Sequence, residues 1–147
     1  MREIKFRGIS EENDGWVYGD LIHCGNNNEK RQIMSFDDPS DPTFELCVEN
    51  VIPSTVGQFT GLLDRNGKKI YEGDVMMNKN AKVFVIVYRG GGFCAMSPRE
   101  YCLDLAGDPV TISDPLGAKQ SSDYFQEQCW VIGNVHERSE LLDVAEG

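Results

Sequence analysis

Between Lys82 and Arg89 the chain reads KVFVIVYR. β-Branched and aromatic residues alternate here: Val83, Val85 and Val87 form one series, Phe84, Ile86 and Tyr88 the other, and both are apolar. A strand with two apolar faces needs cover on each side, so this run predicts a central strand buried between layers. GGG and then FCAMS follow, which predicts a hairpin turning through residues 90–92.

The rest of the chain has to supply partners for that strand, and most of it is extended too. In REIKFRG, Ile4 and Phe6 alternate with charged residues, the period of a strand with one wet face. SEENDG is rich in turn formers and WVYGDLIHC resumes the β pattern, so residues 2–8 and 15–23 are expected to pair as a hairpin. RQIMSF reads as a short strand and LCVENVIPSTVGQFTGLL as extended chain, with Pro53 at an edge or strand end and bends at Gly57 and Gly61. SPRE has the form of a capping box, with Ser97, Pro98 at the first helical position and Glu100, so a short helix is expected over residues 98–105. GDPVTISDPLGAKQS, residues 107–121, carries two Asp-Pro pairs and no period and reads as a loop. CWVIGNVHE is a late strand, and a helical turn is expected near the end, in ERSELLDVAEG. The expected architecture is one domain over residues 1–147, mainly β, its twisted antiparallel hairpins forming a small open barrel with one or two short helices. Variable surface insertions fall near 25–45 and 104–123.

Charge narrows the partners. Fourteen Lys and Arg against 24 Asp and Glu give a net charge of −10, which repels a phosphate backbone at long range and argues against a general nucleic-acid coat. The distribution is uneven, because residues 61–90 hold Arg65, Lys68, Lys69, Lys79, Lys82 and Arg89 against only Asp64, Glu72 and Asp74. The five cysteines, Cys24, Cys47, Cys94, Cys102 and Cys129, have no paired spacing, and MREIKFRG has no apolar signal core. A reducing cytoplasm, in whatever cell makes the protein, is therefore the expected setting, without a membrane partner.

The stretch TVGQFTGLLDRNGKKIYEGDV, residues 55–75, concentrates the residues that could do chemistry. As a phosphate loop it fails: five residues separate Gly61 from Gly67 where four are needed, and Lys69 follows Lys68 in place of Ser or Thr. As a calcium loop it fails because Lys68 occupies a ligand position. A turn accounts for every residue: Asp64 and Asn66 bond backbone amides, Asn66-Gly67 supplies a left-handed pair, Gly73 takes a positive φ and Asp74 accepts N–H bonds. GGGFCA matches a dinucleotide fingerprint only formally, since Pro98 follows where a helix should already have begun. His23, His136 and the cysteines form no zinc knuckle, and Cys129 with His136 is an arithmetical nucleophilic pair without a supporting motif. No catalytic, cofactor-binding or metal-ligating residue is expected.

REIKFRG, WVYGDLI, TVGQFTGLLDRNGKKIYEGDV and VIGNVHERSELL, in that order, resemble the YopX family of small phage and prophage proteins over residues 2–142. Ile9 departs from the family's usual aromatic, and VHERSELL from its usual aromatic-and-Pro ending. The resemblance implies a mainly β fold, a phage or prophage origin in bacteria, hence a bacterial host cell, and self-association; it implies no reaction. Two functions are therefore weighed. The first is a non-enzymatic binding or assembly module, pairing with itself or with a host or phage protein, for which Trp16, Tyr18, Phe59, Tyr71 and Trp130 are the interface candidates. The second is a nucleic-acid accessory protein using Arg65, Lys68, Lys69, Lys79 and Lys82, with Phe59 and Tyr71 as stacking rings among them.

Overall fold

The structure, a computed structural model, describes residues 3–23, 30–36, 46–89, 92–105, 113–115 and 119–137. Its internal contacts divide the chain into two compact units, Met1–Phe59 and Thr60–Gly147. Both are built from antiparallel strands in open sheets, with two short helices in the second, so the mainly β expectation holds.

The first unit begins with β1 (Phe6–Ile9) and β2 (Trp16–His23), paired from Phe6↔Gly19 to Ile9↔Trp16. β3 (Arg31–Phe36) pairs with β2, and β4 (Leu46–Val51) with β3. The sheet curls far enough for the end of β4 to meet the end of β1 through an isolated bridge, Ser10↔Val51, flanked by backbone bonds from Ile52 N to Ile9 O (2.9 Å) and Glu11 N to Asn50 O (2.9 Å). Pro53 starts a single 3-10 turn (Pro53–Thr55) just past the strand, where its missing N–H leaves no ladder bond unmade. The Thr55 hydroxyl donates to Ile52 O (2.6 Å) and accepts from Ile9 N (2.9 Å). Val17, Ile33 and Val51 are the buried centre, with Phe6, Leu21 and Val56 packed against them. The guanidinium of Arg7 lies 4.6 Å from the ring centroid of Trp16, a cation–π stack in a residue only 5% exposed.

β5 (Gly57–Leu63) leaves the first unit and enters the second. Its first residues pair with β1 (Phe6↔Gln58, Arg7↔Gly57), and its later ones with β6 (Lys69–Tyr71). Gly61 bends the strand at φ 88°. The main sheet of the second unit runs in the order β10-β9-β8-β7-β11, with β7 Asp74–Asn78, β8 Val83–Arg89, β9 Gly92–Met96, β10 Ser113–Pro115 and β11 Cys129–Asn134. β8 sits at its centre, covered on both faces as its two apolar series require. Phe84 and Ile86 pack with Ile70, Met76, Ala95, Phe125 and Cys129 on one side. Val85 and Val87 pack with Val75, Cys94 and Met96 on the other, where Tyr101 and Cys102 of α1 (Pro98–Leu105) close the layer. α1 occupies the span expected of it, and the Ser97 hydroxyl accepts from Glu100 N (3.1 Å) as its cap.

Of the loop expected over residues 107–121, residues 113–115 form β10 and residues 119–121 begin α2 (Lys119–Gln128), while the rest of that span lies outside the described residues. KQSSDYFQEQ offers only the adjacent Tyr124 and Phe125 as apolar residues, too few to mark a 3.6-residue period. The helix is held by tertiary packing, because Phe125 is 3% exposed and its ring lies 5.6 Å from that of Phe84. Most of the variable segments near 25–45 and 104–123, and the terminal turn expected in residues 137–147, lie outside the described residues.

Candidate functional site

The turn between β5 and β6 is built around the carboxylate of Asp64, which is 3% exposed. Asp64 N donates to Lys68 O (2.8 Å) and Gly67 N to Asp64 O (3.0 Å), closing a three-residue loop. Oδ1 accepts from Asn66 N (2.8 Å) and Lys68 N (2.9 Å). Gly67 alone is left-handed, at φ 78°; Asn66 is not, so the expected left-handed Asn-Gly pair is corrected to a right-handed turn followed by one left-handed glycine. The Asp64 bonds select it, since they draw the next amides in over the side chain.

Oδ2 reaches much further. It accepts from Val131 N (3.0 Å) on β11, while Arg65 N donates to Cys129 O (2.8 Å) two residues earlier on the same strand. β11 is the last strand of its sheet, and the turn satisfies the side of it that β7 does not. Asp64 thus closes its own loop and seals a sheet edge.

The turn between β7 and β8 repeats the same construction. DRNGK at 64–68 has its counterpart in NKNAK at 78–82. Asn78 N donates to Lys82 O (3.0 Å) and Ala81 N to Asn78 O (3.0 Å). Asn78 Oδ1 accepts from Asn80 N (2.9 Å) and Lys82 N (3.0 Å), and Ala81 stands at φ 63° where Gly67 stands at 78°. The residue types differ where their second side-chain atom differs in task. Asp64 meets a donor, Val131 N–H; Asn78 donates through Nδ2 to the Tyr124 hydroxyl (2.7 Å).

Other polar groups of the signature are equally engaged with backbone. Asp74 is 1% exposed and Oδ2 accepts from Tyr71 N (2.8 Å), and Gly73, at φ 94°, donates to Ile86 O (2.8 Å). The Thr60 hydroxyl donates to Ile70 O (2.8 Å). Asn134 accepts from His136 N (2.9 Å) and Glu137 N (3.0 Å) beyond the end of β11. Sequence reasoning found Asp64 and Asp74 as backbone acceptors but missed Asn78 and Asn134, whose only signal is Asn at the end of a strand.

Of the interface candidates, Tyr18 is exposed (42%), with Lys5 Nζ 6.0 Å from its ring centroid, while Trp16 and Trp130 are half-buried. Phe59 and Tyr71 are each only 4% exposed and belong to the core, so neither ring is presented for stacking among the basic residues. Arg65, Lys68, Lys79 and Lys82 are exposed at the tips of the twin turns, and Lys69 is half-buried on β6. The structure thus places four of the five cations on two turns and the fifth, Lys69, on β6, with their expected aromatic companions inside.

His23 ends β2 and His136 follows β11; each is exposed, and they belong to different units. Among the described residues no group of three or more His, Cys, Asp or Glu side chains could hold a metal ion. Burial pushes the Cys129 thiol up to about 11, with the Tyr124 hydroxyl pulling it part of the way back, so it is protonated at neutral pH and a poor nucleophile. Burial also raises Cys94. Because the fold favours the neutral thiol of Cys129, its contribution to stability is complete below the ordinary value of 9.0 and is lost as pH rises toward 11. Urea unfolding of the wild type and of Cys129→Val across pH 8 to 11 checks this: only the wild type should show that part of the decline.

Buried polar side chains that anchor turns and seal a strand edge make the second unit a β fold organised around its own backbone. The YopX family model, described as YopX protein, matches residues 5–143, and the chain belongs to that family. The crystal structure of protein EF1440 from Enterococcus faecalis is similar to it, with a TM-score of 0.56 and 25% identity over 97% of this chain and 99% of that one. Among curated proteins none matches. No helix among the described residues is long and apolar enough to cross a membrane.

Proposed function

We propose that this is a phage- or prophage-encoded binding or assembly module of the bacterial cytoplasm, without catalytic activity, that associates with copies of itself. The observation that carries the reading is the engagement of Asp64, Asp74, Asn78 and Asn134: each is at least nine-tenths buried and hydrogen-bonded to backbone amides. Side chains so engaged stabilise a scaffold and are not positioned to gather a substrate. The first unit also leaves Ile4 (61% exposed), Tyr18 (42%), Val48 (45%) and Ile52 (36%) open to solvent, whereas in the second only Tyr88 (45%) is comparable among the described residues. Large exposed apolar side chains of this kind supply interface area.

Light scattering on the purified protein at tens of micromolar tests the reading. Masses above the 16.5 kDa of one chain are expected, and Tyr18→Ser with Val48→Ser should shift the population toward monomer. Monomer alone in the wild type would remove self-association. A second reading, a nucleic-acid accessory role, is favoured by one observation: the exposed cations are held on two structurally matched turns.

A further inference from the structure

We infer that the twin turns 64–68 and 78–82 act together as one contact for the sugar-phosphate backbone of duplex DNA, an inference that rests on the second, nucleic-acid reading. Both turns meet the start of β11. Arg65 N donates to Cys129 O, and Cys129 is the register partner of Asn78. Cys129 therefore stands between the two turns, whose backbones lie about two strand spacings, ~10 Å, apart there. That is about one Debye length at 0.1 M salt and less than one at lower salt, so their charges act on the same ligand there.

Each turn places a basic side chain at its second and fifth positions: Arg65 and Lys68 in one, Lys79 and Lys82 in the other, all four exposed. Among the described residues no hydrogen bond or ion pair engages these four side chains. The acid within the first turn, Asp64, is buried and turned inward onto three backbone amides, so it does not stand among the four cations at the surface. Glu127, exposed near the end of α2, is the acidic residue nearest to Cys129 along the chain and moderates the local potential.

The backbone bonds fix the tips in matching conformations. Ala81 adopts the left-handed region although it is not glycine, a conformation that the bonds around it must hold in place. Two pre-formed, matched loops with a cation on each side suit a repeating charged polymer better than a single anion. Duplex is favoured over single strand by the burial of Phe59 and Tyr71, since sequence-tolerant binding of unpaired bases relies on exposed rings. Against a net charge of −10 the contact is weak and independent of sequence.

The test is fluorescence anisotropy of the full chain with a labelled 20-base-pair duplex, and with a single strand of the same sequence, from 20 to 200 mM salt. Four phosphate contacts predict a slope of log K against log salt of about −3.6, or roughly a 100-fold loss between 50 and 200 mM. The pair Arg65→Gln and Lys68→Gln, and the pair Lys79→Gln and Lys82→Gln, should each halve the slope to about −1.8. Lys68→Arg with Lys82→Arg should leave it unchanged. Circular dichroism melts of each variant establish that these exposed substitutions leave the fold intact. Duplex binding that neither Gln pair alters would overturn the twin-turn contact while leaving the accessory role to another surface. Tighter binding of the single strand would overturn the choice of duplex. No binding to either at 20 mM salt would overturn the contact and the accessory role together.

Discussion

Asp64→Ala is expected to lower the stability of the protein by about 3 kcal/mol in urea unfolding. Three backbone amides bond its carboxylate, those of Asn66, Lys68 and Val131. Hydrogen bonds to a charged group contribute ~1.5–3 kcal/mol each, but they are not additive, and exposed turn amides recover water when the side chain is cut back. Val131 lies 67 residues away on a strand edge, and its amide is the one left without a replacement. Asp64→Asn separates the two tasks. Its carbonyl oxygen can keep the Oδ1 bonds of the turn, but its NH2 then faces the Val131 N–H, donor against donor, for an expected loss of about 1–2 kcal/mol. The twin turn shows the converse arrangement, where an Asn suits its place because Nδ2 meets a hydroxyl oxygen.

Gly19→Ala is expected to be as damaging, at about 3 kcal/mol or more, for a reason of space. A Cβ at position 19 would stand 2.0 Å from the carbonyl oxygen of Met34 and 2.9 Å from its carbonyl carbon, both backbone, so β2 and β3 would have to move apart. Such overpacking costs ~1–3 kcal/mol when side chains can yield, and more when the obstacle is a strand. Two other glycines calibrate the result in the same thermal or urea experiment. At Gly67 nothing lies within 4 Å of the added carbon, but φ is 78°, so Ala should cost only about 1 kcal/mol of backbone strain. Gly92 has open space and no unusual φ, and Ala there should lie within about 0.5 kcal/mol of wild type.

The parts of this fold that the sequence made legible are those whose signal is local. β8 was readable because both of its side-chain series are apolar, and a strand buried on two faces leaves that mark in any sequence. α1 was readable because Ser97, Pro98 and Glu100 occupy cap positions at fixed offsets. α2 was not, since two adjacent rings, Tyr124 and Phe125, anchor ten mostly polar residues and no period results. The boundary between the two compact units falls inside β5, between Phe59 and Thr60, where the β pattern continues unbroken and no composition shift marks it.

The candidate site divides along the same line. That Asp64 and Asp74 bond amides follows from their place beside turn glycines, and the nearer bonds are indeed local. The reach of Asp64 to Val131 depends on tertiary structure and has no counterpart in spacing. The kinship of the two basic turns was masked by Ala81, which stands where a glycine would have advertised the left-handed position. Phe59 and Tyr71 look like surface aromatics beside cations in the sequence, yet both are buried in the core, next to Thr60 and Ile70, which are buried too.

The central claim is that Asp64 and its neighbours exist to satisfy backbone amides, with Asp64 joining its turn to the edge of β11. Amide hydrogen exchange of Val131, Asn66 and Lys68 in Asp64→Ala, compared with wild type and corrected for global stability, tests it most directly. The account predicts that these three amides lose protection beyond the global change, while Met76 and Ile86 in the sheet centre lose none beyond it. Unchanged protection at Val131 together with unchanged urea stability would contradict it.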